Sequence, residues 1–589
     1  MLRPLEPRMT SRLARSLALI ASTAGMAALA LVADPRAAQA CGGTFCDNLP
    51  QPMPVDQRGE DILFVLDGST VEVHVRIEYT GEAERFAWIL PIQGVPEIAV
   101  GSDLLFTAMS GALAPSWSTI TAHDCEPGDP TGDPTGDDGV KLDLADTPPP
   151  TVVLEAIVGA YEVVVLQGGS AVEVIEFLTA NGYAQDPAAT PILQEYLDEG
   201  FLFAAVKLAA GADASAIHPL AFKFAGDEPC VPIRLTRIAA EDDMAVRAYF
   251  LGQERWAPRN YQHVVLNPLA YPWHQPSAEA YLELLSLAVD EAGGHAFATE
   301  YAGPSSIVPD GDIYRPSWDE SAFLGIDPIA ALDQVASQGL SAHPLIASLL
   351  LEFIPPPEGV APALFWNNIA EFADQIDLEA WDDVAFAAAI AERIIEPGLH
   401  AVDLLASWPT LTRLHTTLSP HEMTVDPMFV ANADLPDVAG SQVTTTQQVL
   451  CAGDRVFHVA LEGVDNPLCV PAGAEYPVWS AMPYALRVEQ IPSLGPAQVI
   501  TDNAELIASE YASEQATVEC MADGGGDGDG DDGPSAGDDA GTETGEPVYN
   551  LPYDIACGCT AERDAAPVGV ALGLIVLGLI SPWRRRRAP

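Results

Sequence analysis

The most reactive side chains in the sequence are its nine cysteines, and two of them lie in the short stretch CGGTFC at residues 41–46. Their spacing is not the C-x-x-C of thiol–disulfide oxidoreductases. A zinc site would need two more cysteine or histidine ligands at short spacing, and none follows. We therefore interpret Cys41 and Cys46 as a structural disulfide that closes a small loop.

Two other stretches partly match hydrolase motifs. HEMTV, which begins at His421, lacks the second histidine of the H-E-x-x-H zinc motif. GGSAV places Ser170 between a predicted strand and a predicted helix, but it lacks the last glycine of the nucleophile elbow. We interpret Ser170 as a turn or helix-cap residue. The sequence predicts no catalytic residue and no cofactor.

Carboxylates and histidines are the remaining candidates for metal binding. Asp527, Asp529 and Asp531 alternate as in the first half of a calcium-binding loop. That loop requires glycine at its sixth position and glutamate at its twelfth, and both positions hold aspartate here, so this is a weak calcium candidate. The 11 histidines show no paired metal spacing. His74 belongs to the polar side of an alternating strand, which we predict to face solvent.

The amino-terminal end of the chain predicts export. Arginines precede the apolar run LALIASTAGMAALALVA, and small residues stand at positions −3 and −1 of a site between Ala40 and Cys41. This is the pattern of a secretory signal peptide over residues 1–40. Ordinary cleavage before Cys41 is the preferred interpretation, and lipid attachment at Cys41 is the alternative.

The carboxyl-terminal end predicts a membrane anchor. Residues 565–583 carry no charge, and a helix of this length spans about 28 Å, close to the thickness of a bilayer core. Arg584, Arg585, Arg586 and Arg587 follow and mark the cytoplasmic side, so the bulk of the chain would face outward. Residues 516–556 are rich in glycine and aspartate, which predicts a disordered acidic linker.

Composition excludes one class of partner and indicates a folded chain. With 84 acidic residues against 26 lysines and arginines, the net charge is −58. This field repels nucleic acid, and no clustered basic face is visible, so we predict no nucleic-acid partner. A hydrophobic content of 48% indicates a globular protein of two or three domains.

Export also bears on the other cysteines, because thiols outside the cell tend to pair. Cys451 and Cys469 flank an apparent hairpin, which favours a disulfide between them. Cys125 and Cys230 would join a loop insertion to the sheet.

The elements that would position these residues indicate an α+β fold. ILFVL and VEVHVRIEY flank Asp67-Gly68, which predicts a β-hairpin with one buried face. Residues 41–275 read as a mixed or antiparallel β-rich region with packed helices and a loop insertion at 125–149. Residues 276–430 read as mostly helical, and residues 431–515 return to β-patterning.

Individual elements follow from local patterns. VPIRLTRI, at residues 231–238, is predicted as a strand. The first helix of the middle region should bury a stripe that contains Leu284, Leu285, Ala288 and Val289. Further helices are predicted at 327–340, 342–353, 361–375 and 378–395.

Several stretches together resemble one bacterial family. They are CGG-x-FC, PVDQ, FAWILP, PIRLT, VDEAGG-x-AF-x-TEYAG and TTLSPHEMTVDP, in this order between Cys41 and about Phe429. The family is the uncharacterised secreted family called domain of unknown function 2330. The resemblance implies export and a shared architecture, and it supplies no catalytic residue.

The tail resembles a second, independent signal. CGC at 557–559, a spacer, an apolar helix and an arginine cluster are similar to the MYXO-CTERM sorting tail of myxobacteria-type secreted proteins. In that family a membrane peptidase recognises the tail and cleaves near its cysteine. The resemblance implies such a peptidase as a partner and Cys557 or Cys559 as the processed residue. A permanent transmembrane anchor is the alternative.

Two hypotheses for function follow. The first is a non-enzymatic, envelope-anchored surface protein that binds an envelope component or another protein, or that has a structural or assembly role without a small ligand. The second is a secreted hydrolase whose site is assembled from residues distant in the sequence.

Overall fold

A computed structural model describes most of the chain between residues 56 and 515. The described backbone comprises residues 56–80, 87–115, 118–123, 151–181, 188–209, 216–226, 228–272, 277–440, 444–449, 455–459, 468–471, 479 and 481–515. Within these ranges, no helix combines the length and the apolar character that a membrane span requires. The predicted signal peptide, the predicted acidic linker and the predicted transmembrane helix at 565–583 lie outside them.

The prediction of an α+β fold is confirmed, with helices packed on mixed sheets. The strands are β1 Asp56–Asp67, β2 Thr70–Thr80, β3 Ala87–Ile92, β4 Glu97–Val100, β5 Ser118–His123, β6 Thr151–Val158, β7 Tyr161–Gln167, β8 Leu202–Leu208, β9 Leu220–Ala225, β10 Ala240–Gly252, β11 Trp256–Pro258, β12 Gln262–Leu266, β13 Ala296–Pro304, β14 Thr410–Leu418, β15 Phe429–Ala431, β16 Thr444–Val449, β17 Arg455–Val459, β18 Leu468–Pro471, β19 Ala485–Gln490 and β20 Gln498–Asp502. The α-helices are α1 Asp103–Leu113, α2 Ala171–Ala180, α3 Ala189–Asp198, α4 Ile233–Thr236, α5 Ala278–Glu291, α6 Pro328–Ser337, α7 Ile346–Phe353, α8 Pro362–Asn367, α9 Asp383–Ile390, α10 Glu396–Ser407 and α11 Ala504–Gln515.

The central feature is a ten-stranded mixed sheet with the order β20-β19-β12-β13-β14-β10-β1-β2-β9-β4. The predicted hairpin forms its β1–β2 pair, in which Asp67 lies opposite Thr70. Gly68 in the turn has a φ of 61°, a left-handed conformation that glycine adopts without strain. Strand β1 also pairs in parallel with β10, which is why the sheet is mixed.

The boundaries predicted at residues 275 and 430 do not separate independent sheets. Strands β13 and β14 come from the region read as mostly helical, and they lie next to each other near the middle of the large sheet. The helices between them, α6 to α10, form an insertion between two neighbouring strands. Local periodicity reports the helices correctly, but it carries no information on which strands pair across such an insertion.

Both faces of the large sheet are covered around its central strands, whereas the edge strand β20 is exposed. On one face, Phe64 of β1 and Val73 of β2 join a core with Trp88 and Val163 of the smaller sheet β3-β8-β7-β6. On the other face, Leu63 of β1 packs in a separate core with residues of α1 and α10.

The prediction that His74 faces solvent is therefore wrong. Glu72 and His74 of β2 are only 6% and 2% exposed. The alternation correctly placed their side chains on the polar side of the strand, but helices that lie far away in the sequence cover that side.

The helical insertion has its own core, in which Phe323, Leu349, Phe386 and Ile390 are buried. All four predicted helices correspond to observed helices. The predictions at 327–340 and 342–353 contain α6 and α7. The prediction at 361–375 contains α8 and a 3₁₀ turn at Ile369–Gln375, and the prediction at 378–395 contains α9. A π-turn at Ala391–Ile395 leads from α9 into α10.

Two other predictions have opposite outcomes. The predicted stripe of α5 is buried as expected, with Leu285 and Ala288 fully inaccessible. VPIRLTRI is not a strand, because Ile233–Thr236 forms the short helix α4. Pro232 precedes this helix and has no N–H to donate to a strand ladder, which disfavours the predicted pairing.

Asp61 of β1 lies on the polar face of the sheet that α1 and α10 cover, so a substitution of Asp61 tests the fold. Asp61 is fully buried and accepts hydrogen bonds from Arg76 (2.6 Å) and Arg247 (2.7 Å). Asp61→Asn removes the charge that both guanidinium groups face, so it should lower the free energy of unfolding by about 3–5 kcal/mol. Asp67→Asn, in the exposed turn of the same hairpin, should change it by less than about 0.5 kcal/mol. Chemical denaturation of both variants checks this, and equal stabilities would contradict the role given to Asp61.

Candidate functional site

Most of the residues singled out from the sequence as special lie outside the described part of the chain. These are Ala40, Cys41, Cys46, Cys125, Cys451, Asp527, Asp529, Asp531, Cys557, Cys559 and the arginines 584–587. Cys469 has a described backbone in β18, but its side chain is not described. Cys230 is half-buried and forms no disulfide with any described residue, and burial raises the pKa of its thiol. The three predicted disulfides therefore stay predictions.

Ser170 is a helix cap, as the sequence suggested. Its hydroxyl accepts a hydrogen bond from the backbone N–H of Glu173, and the Glu173 carboxylate accepts one from the backbone N–H of Ser170. This reciprocal capping box fixes the start of α2.

The structure brings together three residues that the sequence did not single out as a site. Glu72 and His74 are two positions apart on β2, so their side chains point to the same face of the sheet. His400 lies on α10, which covers that face. The Nε2 atom of His74 is 2.9 Å from Oε1 of Glu72, and Nε2 of His400 also bonds to that oxygen. We call these residues the Glu72–His74–His400 cluster.

The electrostatics of the cluster favour a charged carboxylate. Burial opposes ionisation of Glu72, but the hydrogen bonds and charges of His400 and His74 outweigh it and lower the pKa of Glu72. The other carboxylate oxygen lies 3.4 Å from Nζ of Lys223. The hydrogen bond to Glu72 raises the pKa of His400, although partial burial of the ring opposes this. Glu72 is therefore ionised at neutral pH.

The cluster opens into a cleft of about 430 Å³ that Glu72 and His400 line. Three further carboxylates, Glu97, Glu392 and Glu396, line the same cleft. The side chain of His400 is 48% exposed, so the cluster is accessible from solvent. The cleft therefore offers a cation both a route to the cluster and a negative environment.

The donor set fits a divalent transition metal. One nitrogen from each histidine and one carboxylate oxygen all lie within 4.8 Å of one another. Zinc binds histidine nitrogens and carboxylate oxygens at about 2.0–2.2 Å, and two histidines with one glutamate form the protein ligands of several catalytic zinc sites. Nδ1 of His74 is buried without a hydrogen-bond partner among the described residues. Without a metal, the same residues form a hydrogen-bonded link between β2 and α10.

Sequence reasoning missed this cluster for a physical reason. His400 follows Glu72 by 328 positions, so no local spacing connects them. The only local signal was the E-x-H pattern on one face of a strand, and its meaning depends on whether that face is covered.

These features define an α+β protein with a two-histidine, one-carboxylate cluster at the edge of an acidic cleft. A family model described as an uncharacterized protein conserved in bacteria (DUF2330) matches residues 35–313. The match over these residues supports the resemblance of the chain to that family. The match includes Glu72 and His74 and ends before His400 and before the TTLSPHEMTVDP stretch. Searches among curated proteins and among solved structures returned no match.

The cluster predicts a specific titration behaviour of His400. Its pKa lies above the ordinary 6.5 because of Glu72, so the ion pair is complete below pH 6.5 and is lost as the pH rises through the raised pKa. Glu72, whose pKa is lowered, stays ionised above its ordinary 4.5, which places the full interaction between about pH 4.5 and 6.5. NMR titration should show the pKa of His400 falling towards its ordinary value in Glu72→Gln.

Two references make this titration interpretable. Glu396→Gln removes a carboxylate from the same cleft without touching the hydrogen bond, so it should change the pKa of His400 much less. His343, whose pKa burial lowers to about 4, should titrate identically in all variants. An unchanged pKa of His400 in Glu72→Gln would contradict the arrangement of the cluster.

Proposed function

We propose that this chain is an exported, envelope-anchored protein whose folded part binds a divalent transition metal through the Glu72–His74–His400 cluster. Zinc matches the donor set best, because imidazole nitrogen and carboxylate oxygen are both among its common ligands. The observation that carries the proposal is the convergence of three donor atoms within 4.8 Å at the edge of a solvent-accessible cleft.

Support for export and anchoring comes from the two ends of the sequence. A signal peptide with cleavage before Cys41 and a charge-free segment at 565–583 before four arginines would place the folded part outside the cytoplasm. The membrane and a tail-processing peptidase are then the expected partners of the carboxyl terminus. The acidic linker at 516–556 would separate the folded part from the membrane.

A non-enzymatic binding role is the leading form of the proposal. In it, the metal and the acidic cleft form a recognition surface for an envelope component or a surface protein. The cleft carries three carboxylates beside the cluster, which suits a partner that contributes cationic groups.

A secreted hydrolase is the alternative, and the donor set is the observation that favours it. Two histidines and a glutamate leave a coordination position open in catalytic zinc sites. Assays of the zinc-loaded chain with generic ester, peptide and glycoside substrates separate the two roles. Turnover that Glu72→Gln abolishes would favour the hydrolase.

Metal binding is measured on the purified chain by isothermal titration calorimetry with Zn²⁺. We expect Glu72→Gln and His400→Gln each to weaken binding by more than the roughly 10–100-fold that outer-shell changes cause. Glu283→Gln is the matched control, because Glu283 is exposed on α5 and should leave affinity unchanged. Zinc affinity should also rise with pH through the raised pKa of His400, since that imidazole must lose its proton to bind. Unchanged affinity in both cluster variants would overturn the metal site.

Export is tested separately, by expressing the full chain in a bacterial host and sequencing the amino terminus of the mature protein. We expect the first residue to be Cys41 and the protein to fractionate with the envelope. Mass analysis of the carboxyl terminus shows whether Cys557 or Cys559 is processed. A cytoplasmic protein that retains Met1 would contradict export without bearing on the metal site.

A further inference from the structure

A second cleft, of about 340 Å³, opens on the same covered face of the large sheet. Its polar lining comes from Arg247 of β10, Glu300 of β13, Arg413 and His415 of β14, and Ser277 and Tyr281 at the start of α5. Arg247 lies directly opposite His415 in the β10–β14 pair, so backbone register sets their separation. None of these residues belongs to the Glu72–His74–His400 cluster.

His415 is prepared to accept a hydrogen bond. Its Nδ1 lies 2.7 Å from Oε1 of Glu300, and both side chains are buried. Burial lowers the pKa of His415 although Glu300 opposes this, so the ring is neutral and Nδ1–H donates to the carboxylate. Nε2 then presents a lone pair. It is buried without a partner among the described residues, and an unpaired buried acceptor costs about 1–3 kcal/mol.

The cleft also carries an excess of positive charge. Two guanidinium groups line it against the single carboxylate of Glu300, in a chain whose net charge is −58. Arg413 is held by Glu300, with Nε 2.6 Å from Oε2, and Arg247 by Asp61 at 2.7 Å. These carboxylates fix the two arginines in place. Guanidinium groups fixed in this way suit planar recognition of a carboxylate.

The remaining lining is apolar and includes Pro115 and Leu282. A volume of about 340 Å³ lies in the range of small-molecule sites. The site therefore combines a place for an anionic group, an acceptor for one hydroxyl and a surface for a short carbon chain.

We infer that this cleft binds a small hydroxy-carboxylate, whose carboxylate faces Arg247 and Arg413 and whose hydroxyl donates to Nε2 of His415. A carboxylate without the hydroxyl would leave the histidine nitrogen unpaired, so the site discriminates between the two. The inference uses none of the metal ligands, and it stands or falls independently of the proposed metal site.

The test compares matched acids that differ only by one hydroxyl, with the full chain in the presence of EDTA. The pairs are lactate with propionate and malate with succinate, and dissociation constants come from calorimetry or ligand-observed NMR. We expect at least one hydroxy acid to bind about tenfold more tightly than the matched acid without the hydroxyl. One hydrogen bond to a buried acceptor accounts for a difference in affinity of this size. If neither member of any pair binds, or both members bind equally, the inference is overturned.

Two variants locate the effect. His415→Asn keeps a donor towards Glu300 but removes the Nε2 acceptor, so it should reduce hydroxy-acid affinity to that of the plain acid. Arg247→Gln should weaken both acids by about tenfold or more. Asp67→Asn is the control and should bind like the unaltered chain. A hydroxyl preference that survives in folded His415→Asn would overturn the inference, and the comparison on the unaltered chain stands even where a variant fails to fold.

Discussion

The chemistry of this protein depends on one constraint: both faces of the large sheet are covered around its central strands. Polar side chains on the face opposite the core that contains Phe64 must therefore find partners within the protein. An isolated buried charge is far more costly than a paired one, because partner groups replace only part of the hydration that it loses. The structure meets this constraint with buried carboxylates that are each shared by two or more basic groups. Among the described residues they include Asp61 with Arg76 and Arg247, Glu72 with His74 and His400, Glu300 with Arg413 and His415, and Glu489 with His263 and Arg487.

Strand register aligns these groups across the sheet. Asp61 of β1 lies opposite Arg76 of β2 and Arg247 of β10, and Arg247 lies opposite His415 of β14. Side chains in one row of a sheet are neighbours, so each pair restricts the rotamers of the next. The two clefts open where this polar region meets α10 and the start of α5. Groups that pair for structural reasons are thereby held in the fixed geometry that a binding site needs.

Local elements were predictable from the sequence, and the assembly of the sites was not. The β1–β2 hairpin follows from alternation around Asp67-Gly68, and the buried stripe of α5 follows from its helical period, because both signals are confined to one element. His74 was placed on the right side of its strand, but whether that side is wet depends on α10, more than 300 residues later in the chain. Similarly, Glu300 and His415 belong to two strands that the helical insertion separates in sequence. The sequence pattern specifies the face on which a side chain lies, whereas tertiary packing determines what covers that face.

The strong acidity of the chain affects the two clefts in opposite ways. At physiological ionic strength, charges interact over about 8 Å, so each cleft responds mainly to its own lining. Around the Glu72–His74–His400 cluster, Glu97, Glu392 and Glu396 add to the general negative field and concentrate cations. Around His415, the two arginines reverse the sign locally, and an anion must approach through a repulsive exterior. Added salt screens both fields, so it should weaken cation capture at the first cleft. At the second cleft, added salt screens both the repulsion of an anion by the acidic exterior and its attraction to the two arginines. Salt screens buried hydrogen bonds least, so these bonds then contribute most to the binding of an anion. The local lining of each cleft therefore decides which sign of charge the cleft favours, although the net charge of the whole chain is −58.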